Sequence, residues 1–282
     1  MNTTNLTIAF QGEHGAFSEA AAFASYSNEI ITLPCESFEG VFQAVTGGLA
    51  DQGLIPIENS LAGSIHQNYD LLLKYGLTIT GEHYHQINHC LIGFPDSEIQ
   101  SLRQVISHPQ ALAQCAGYLS RLSGVKVSAV YDTAGSVKML KESGDRATAA
   151  IASERAAEIY SMRILDQGIQ DNRSNFTRFL KINPQALDPE EPAKTSMVFS
   201  LKHQPGALFE ALRVFADRNI NLLKLESRPW AGKMWEYLFY IDFEGSKKDQ
   251  KVAEALEELQ TRALLFRVLG SYPRSQVQMG IS

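Results

Sequence analysis

Between Asn183 and Pro192 the sequence reads NPQALDPEEP, three prolines and three acidic residues among ten. Proline offers no backbone donor and restricts the residue before it, so neither a helix interior nor a central strand survives such a run. The stretch reads as a linker, and it divides the 282-residue chain into a long first part and a short second part. Each must bury its own apolar surface. At roughly 150 residues per domain the length also points to about two domains.

Before the linker, short β-rich runs alternate with amphipathic helical patterns, which is the signature of an α/β sheet with crossover helices. Leu6 to Phe10 opens as a strand. Ser37 is placed to cap a helix in which Phe38, Val41, Phe42 and Val45 recur at i, i+3, i+4 and i+7. Leu54 to Ile57 follows as a buried strand, with Gly63-Ser64 opening the next helix. The rhythm repeats with strand Gln104 to Ile106, helix Pro109 to Leu122, strand Val127 to Tyr131, helix Ser136 to Lys141, strand Ala149 to Ala152, and helix Ser153 to Tyr160 capped by Ser153. An alternating strand from Asn175 to Ile182 closes this part. After the linker come strand Thr195 to Leu201, helix Gly206 to Arg218, strands Ile220 to Glu226 and Trp235 to Phe243, helix Asp249 to Leu259 and strand Leu264 to Leu269. That β-α-β-β-α-β order is the ferredoxin-like pattern. The residues from Ser275 to Ser282 read as a frayed tail.

Composition removes several function classes. Apolar residues make up 44% and charged residues 20%, an ordinary globular mix. Lys plus Arg number 25 against 31 Asp plus Glu, a net charge of -6 that leaves no electrostatic footprint for nucleic acid. The longest apolar runs, Ala20 to Ala24 and Ala147 to Ala152, fall far short of the roughly 18 residues of a spanning helix, so no membrane partner is expected. Met1 to Gly12 lacks a basic region followed by a long apolar one, and a cytoplasmic location is expected. Cys35, Cys90 and Cys115 are odd in number and show no C-x-x-C spacing, which implies neither a disulfide framework nor a zinc site.

In an open α/β sheet, ligands lie beyond the carboxyl ends of the strands, where helix N-termini and loop side chains converge. Here those ends carry Glu58-Asn59-Ser60, Ser107-His108 and Asp132-Thr-Ala-Gly-Ser136, a donor-rich set suited to a small carboxylate-bearing ligand. The same residue types are also what caps and turns demand. Asn175-Phe-Thr-Arg-Phe179 stands apart. In an alternating strand Thr177 and Phe179 face one way and Phe176 and Arg178 the other, which puts Arg178 at an edge or cleft, where its planar fork is able to grip a carboxylate, unless it is simply a surface arginine. His83, His85 and His89 suggest a strand face of metal ligands, but no carboxylate or cysteine joins them at ligand spacing. Gly12-Glu-His-Gly15 is not a dinucleotide fingerprint, and Gly135-Ser136 lacks the spacing and lysine of a phosphate loop.

Taken together, five segments resemble the prephenate dehydratase family, with the likeness running nearly end to end. They are Gly12-x-x-Gly15-Ala-Phe-Ser18, Pro56-Ile-Glu-Asn-Ser60-x-x-Gly63-Ser64, Ser107-His-Pro-Gln-Ala-Leu-Ala-Gln-Cys115, Asp132-Thr-Ala-Gly-Ser136 and Asn175-x-Thr-Arg-Phe179. In the second part, Gly206-Ala-Leu208 and Glu226-Ser-Arg-Pro229 resemble the two effector motifs of the family's ACT domain. The resemblance implies an α/β fold with a two-lobed, periplasmic-binding-protein-like catalytic domain over 1–184 (lobe 1 about 1–82 and 163–184, lobe 2 about 83–162) and a ferredoxin-like ACT domain over 195–274. It departs from the family at Glu13 and Ala16, where Pro and Thr are common, and at Leu223, where Thr is common. The first of these loops therefore stays outside the site set.

What the likeness implies chemically is loss of carbon dioxide and hydroxide from prephenate to give phenylpyruvate, without a cofactor, under feedback by L-phenylalanine. Thr177 aligns with the family's essential residue, and Arg178, Phe179, Glu58, Asn59, Ser60, Ser107 and Gln114 with the rest of the cleft. Aromatisation drives such a reaction, so the protein's tasks are to protonate the departing hydroxyl and to treat two carboxylates differently. A threonine hydroxyl donates weakly, so a neighbour must polarise it or supply the proton, directly or through a relay; Glu58, the one acid in the set, either acts at neutral pH with a raised pKa or orients an amide. The ring carboxylate leaves as neutral carbon dioxide and should be left unclamped, while Arg178 would anchor the pyruvyl carboxylate, which keeps its charge. Gly206, Ala207, Leu208, Asn221, Leu222, Glu226, Ser227, Arg228 and Pro229 form the expected effector site. Gly206 either lets a ligand approach its amide or merely opens a helix. A homodimer or homotetramer is expected, and because the first strand begins at Leu6 no fused mutase or dehydrogenase is expected ahead of it. Two other readings stand beside it: arogenate dehydratase, which acts on the amino analogue and shares every motif, and a non-catalytic amino-acid sensor, which shares the two-lobed fold and ACT module but has no use for a proton donor in the cleft.

Overall fold

A computed structural model of the chain describes residues 5–26, 29–186, 189 and 192–275. Residues 187, 188, 190 and 191 of the expected linker, and the expected tail after Ser275, lie outside the described residues. The chain divides into two compact units, Met1–Leu71 with His83–Phe179, and Leu72–Glu82 with Leu180–Ser282.

Up to the end of the first crossing the elements are β1 (Thr7–Gln11), α1 (Phe17–Tyr26), β2 (Ile31–Cys35), α2 (Phe38–Thr46), β3 (Gln52–Asn59), β4 (Gly63–Ser64), α3 (His66–Tyr75) and β5 (Thr78–Gln86). Then come β6 (Cys90–Gly93), β7 (Gln104–Ser107), α4 (Pro109–Gln114), α5 (Ala116–Leu119), β8 (Lys126–Ala129), α6 (Thr133–Ser143), β9 (Thr148–Ala152), α7 (Glu154–Tyr160), β10 (Arg163–Gln167) and β11 (Phe176–Asn183). Two sheets result. The first has the order β2-β1-β3-β11-β5 with β4 on β3, and the second β10-β6-β9-β7-β8. The chain passes between them twice, from β5 to β6 and from β10 back to β11, which makes the two-lobed α/β fold of the periplasmic-binding-protein kind. β9, TAAIA, is buried along its whole length, as a strand covered on both faces must be. Phe10 and Ala16 join the cluster of Ile92, Ile106, Val137 and Ala150, so the lobes share apolar surface. Gly15 marks the tightest approach. Its φ is +92, and a Cβ there would lie 2.7 Å from the Ala156 Cα.

Local chemistry accounts for most boundaries. Ser37 accepts from the Gly40 amide and Ser153 from the Ala156 amide, both as expected of N-caps. Among the differences from the sequence reading, three concern helices beside the strand ends of the first unit. Gly63-Ser64 does not open a helix but forms β4, paired antiparallel with Glu58-Asn59, and α3 starts at His66. The helix expected from Pro109 to Leu122 breaks at Cys115, where the Gly117 amide turns to the Asp171 carboxylate, 3.1 Å from each oxygen. Asp132 caps α6 by accepting from Gly135 N at 2.7 Å, so that helix begins three residues before Ser136.

The second unit contains β12 (Ala193–Leu201), α8 (Ala207–Ala216), β13 (Leu222–Pro229), β14 (Tyr237–Glu244), α9 (Gln250–Arg262) and β15 (Ala263–Pro273) in an antiparallel sheet of order β13-β14-β12-β15. This is the ferredoxin-like arrangement, with α8 and α9 burying Phe215, Val252 and Leu259 against Met197, Phe199 and Phe243. Residues 72–82, which the sequence reading gives to the first lobe, group with this unit. Lys194 Nζ lies 2.8 Å from Glu82 Oε2, Arg267 donates to the Leu73 carbonyl at 3.0 Å, and any side chain at Gly270 would strike the Ile79 carbonyl.

Candidate active site

Within the first unit, a cavity of about 520 Å³ lies at the carboxyl ends of the strands of both sheets. The N-terminal ends of four helices border it: Phe17 and Ser18 of α1, Ser37 and Phe38 before and in α2, His108 and Gln110 at α4, Asp132 and Thr133 at α6. Each end presents backbone N–H groups without intrahelical partners, and the aligned peptide dipoles favour an anion there. Among the described residues no lysine or arginine lines the cavity.

Thr177 and Asn59 meet on the wall formed by β3 and β11. The Asn59 amide has only one way to face. Its Oδ1 accepts from the backbone N–H of Leu61 at 3.0 Å and of Ala62 at 2.9 Å, the geometry of an Asx turn. Its Nδ2 is therefore directed at Thr177 Oγ1, 3.0 Å away, and at Asn175 Oδ1, 2.8 Å away. The Thr177 oxygen thus accepts, and its hydroxyl proton has no protein acceptor among the described residues. A hydroxyl that accepts one hydrogen bond donates the next more strongly. Asn59 supplies that first hydrogen bond to Thr177.

A second amide, Gln114 of α4, borders the cavity from the other lobe, with its Oε1 2.8 Å from His89 Nε2. His89 is buried, and burial holds its basicity below the ordinary imidazole value against the opposing pull of Gln114. Asp132 also reaches the cavity. Burial is the main influence raising its pKa, aided by the negative charge of Glu13 and opposed by the Gly135 and Ala134 amides.

Of the eight expected site residues, Thr177, Phe179, Asn59 and Gln114 line the cavity. Glu58, Ser60, Ser107 and Arg178 do not. Ser60 Oγ ties β3 to β11, donating to the Ser174 carbonyl at 3.0 Å and accepting from Phe176 N at 3.0 Å. Ser107 is wholly buried and donates to the Ile151 carbonyl at 2.6 Å, which ties β7 to β9. Arg178 corrects the expectation of an edge or cleft position. β11 is an interior strand between β3 and β5, and alternation turns Arg178 away from the face that carries Thr177 and Phe179, where it is buried. The three histidines do not share one face. His83 and His85 lie on β5 with ring centroids 5.9 Å apart, whereas His89 follows the strand's end at Gln86 and turns into the cavity. Positions 83, 85 and 89 are all odd, so a period of two does not separate them, whereas the end of β5 at Gln86 does.

In the second unit Gly206 has φ +82 at the N-cap of α8, a conformation that requires glycine although no neighbour crowds it. Ala207 and Leu208 line a cavity of about 140 Å³ with Trp235 and Tyr237. The other expected effector residues do not line it. Leu222, Glu226, Ser227, Arg228 and Pro229 belong to β13, the edge strand, where Glu226 pairs with Lys224 at 3.9 Å, and Asn221 precedes that strand.

The prephenate dehydratase family model matches residues 8–186 and the ACT domain model residues 195–260. Arogenate dehydratase 3, chloroplastic, of Arabidopsis thaliana is 47% identical over 290 residues, spanning 97% of this chain and 68% of that protein. The crystal structure of prephenate dehydratase in complex with L-Phe from Arthrobacter aurescens is similar with a TM-score of 0.87 and 32% identity, covering 95% of this chain and 90% of that one. GqqA, described as a novel type of quorum quenching acylase, is similar with a TM-score of 0.88 and 36% identity, covering 95% and 98%.

Proposed function

The chain belongs to the prephenate dehydratase family, and from that membership we propose that its cavity converts prephenate to phenylpyruvate with loss of carbon dioxide and water. The observation that carries this reading is the Asn59–Thr177 pair: a hydroxyl that lines the cavity, accepts from Asn59 Nδ2 at 3.0 Å and has no protein acceptor for its own proton among the described residues. As the ring carbon–carboxylate bond breaks, its electron pair enters the ring and expels the hydroxyl on the opposite carbon. The Thr177 proton passes to that oxygen, water leaves, and solvent returns a proton to the threonine. A positioned donor of this kind is worth roughly 10²–10⁴ in rate.

With Arg178 facing away from the cavity, the pyruvyl carboxylate is assigned to helix N-terminal amides and to Gln114 rather than to an ion pair. Phe179 supplies apolar wall beside the ring. Ser60, which ties the ends of β3 and β11, and Ser107, which ties β7 to β9, act as positioning residues. A cavity rich in neutral donors suits this reaction, since a tight ion pair to the departing carboxylate would stabilise the ground state more than the transition state.

Arogenate is the second reading, and a specific feature favours it. Glu36 and Asp132 both line the cavity, and a carboxylate there is the natural partner for the ammonium that distinguishes arogenate from prephenate. Regulation is assigned to the second unit, with L-phenylalanine bound at Gly206 to Leu208 and at the β13 motif of a paired chain, so that effector and assembly are linked. No described helix is long and apolar enough to cross a membrane. The three cysteines are free thiols, which suits a reducing compartment such as the cytoplasm.

The test supplies purified chain with each dienol and detects phenylpyruvate by ultraviolet absorbance and phenylalanine by chromatography. Phenylpyruvate from prephenate supports the first reading. Turnover of arogenate alone establishes the second, and no product from either overturns both.

A further inference from the structure

His89 lies on the segment that joins β5 to β6, and its backbone is held from both sides. Its N–H donates to Gln170 Oε1 at 2.9 Å, and its carbonyl accepts from Ile169 N at 3.2 Å. The ring is 2% exposed and packs edge-on against Phe17, with centroids 5.2 Å apart. Nε2 meets Gln114 Oε1, while Nδ1 is buried without a hydrogen-bond partner. Burial lowers the pKa of this ring, which favours the neutral form, and a neutral imidazole carries a single N–H.

Two arrangements are available to the pair. With the proton on Nε2, the ring donates to Gln114 Oε1 and only a bare lone pair remains at Nδ1. With the proton on Nδ1, Gln114 must turn its NH2 group toward Nε2, and a buried N–H is left with no acceptor. An unsatisfied buried donor costs about 1–3 kcal/mol. The first arrangement is therefore the stable one, and its consequence falls on Gln114. The carbonyl end of the amide is occupied, and its NH2 group, which has no protein acceptor among the described residues, turns to the cavity.

We propose that His89 is a positioning residue that fixes the polarity of Gln114, holding the amide with its NH2 group toward the cavity as a donor for a substrate carboxylate. The carboxylate role rests on the dehydratase reading, whereas the amide's polarity does not. The device parallels the one at Asn59, where two backbone amides hold Oδ1 and so direct Nδ2. Each lobe thereby contributes one side-chain amide whose direction is set by a group behind it. The carboxylate concerned keeps its charge through the reaction, so the donor binds ground state and transition state alike, and its loss should appear in KM rather than kcat.

The test compares His89→Gln, whose amide reaches about as far as Nε2, with His89→Asn, which stops near Nδ1. His89→Asn should raise KM about ten- to a hundredfold with kcat little changed, the value of a hydrogen bond to a charged group. His89→Gln should restore KM to within a few-fold of wild type, a rescue that a purely structural role for the ring would not give. Independently of any substrate, 15N spectra of the histidine-labelled wild-type chain at neutral pH should show His89 as the Nε2–H tautomer. An Nδ1–H tautomer, or an unchanged KM in His89→Asn, overturns the positioning role. Failure of the wild type to turn over either dienol instead overturns the dehydratase reading, and the carboxylate role with it.

Discussion

Replacing Asn59 by Asp changes one atom's chemistry and leaves its shape. Oδ1 still accepts from Leu61 N and Ala62 N at about the 3.0 and 2.9 Å seen for the amide, so the turn is kept. The second oxygen now stands where Nδ2 stood, 3.0 Å from Thr177 Oγ1, and it is an acceptor only. The threonine proton then turns to the carboxylate and away from the cavity, in a charge-assisted bond roughly twice as strong as a neutral one. Asn175 is able to follow by flipping its amide, since its own Nδ2 has no partner at present. Catalysis loses the donor outright. Its worth, roughly 10²–10⁴ in rate, corresponds at 1.36 kcal/mol per decade to about 3–5 kcal/mol in the barrier. The assay is kcat on the preferred dienol, with a thermal melt to show that the variant is folded. In a Thr177→Val background the same change should cost little more, because the two residues act as one unit. A folded Asn59→Asp variant with kcat within about threefold of wild type would refute the reasoning.

Three further expectations concern stability. Gly15→Ala adds a Cβ 2.7 Å from Ala156 Cα at φ +92 and should destabilise the first unit by about 2–4 kcal/mol, read as a lowered thermal midpoint. Lys194→Met removes the cation 2.8 Å from the buried Glu82 carboxylate, which keeps the Ser275 N–H at 3.1 Å, and should cost about 3–5 kcal/mol in denaturant titration, with much of that recovered by adding Glu82→Gln. Burial pushes the pKa of Glu19 upward, but hydrogen bonds from His14, the Gly15 amide, Thr32 and Arg155 outweigh it and leave the group below the ordinary carboxylate value. The folded pKa is thus the lower one. The stability Glu19 contributes is complete above the unfolded value and is lost as the pH falls through the folded value, so acid titration of the urea midpoint should flatten in Glu19→Gln.

What could be read from the residues, and what could not, follows from the range of the forces involved. Helix caps are local, and Ser37 and Ser153 announce themselves by residue type and by the apolar spacing after them. The βαββαβ order of the second unit is equally plain because each element carries its own periodicity. Asp132 is less legible, since the apolar spacing of α6 becomes regular only from Val137, and the cap four residues before Ser136 leaves no apolar signal. The break at Cys115 depends on Asp171, which is distant in sequence. The family resemblance singles out Thr177 and Asn59, but the way the Asn59 amide faces comes from Leu61 and Ala62 backbone amides that carry no sequence signature. Arg178 shows the limit most clearly. Its charge suggests a carboxylate clamp, yet the choice between cavity and opposite face is set by which side of β11 the second lobe covers, and that is a property of the whole topology.

The most direct test of the account is turnover by Thr177→Val and Thr177→Ser beside the wild type. The isosteric valine keeps the packing and removes the proton, while serine keeps the proton. Valine should lower kcat roughly 10²–10⁴-fold with the fold intact, and serine should retain a substantial part of the activity. A valine variant that converts its dienol at the wild-type rate would contradict the claim that the Thr177 hydroxyl protonates the leaving group.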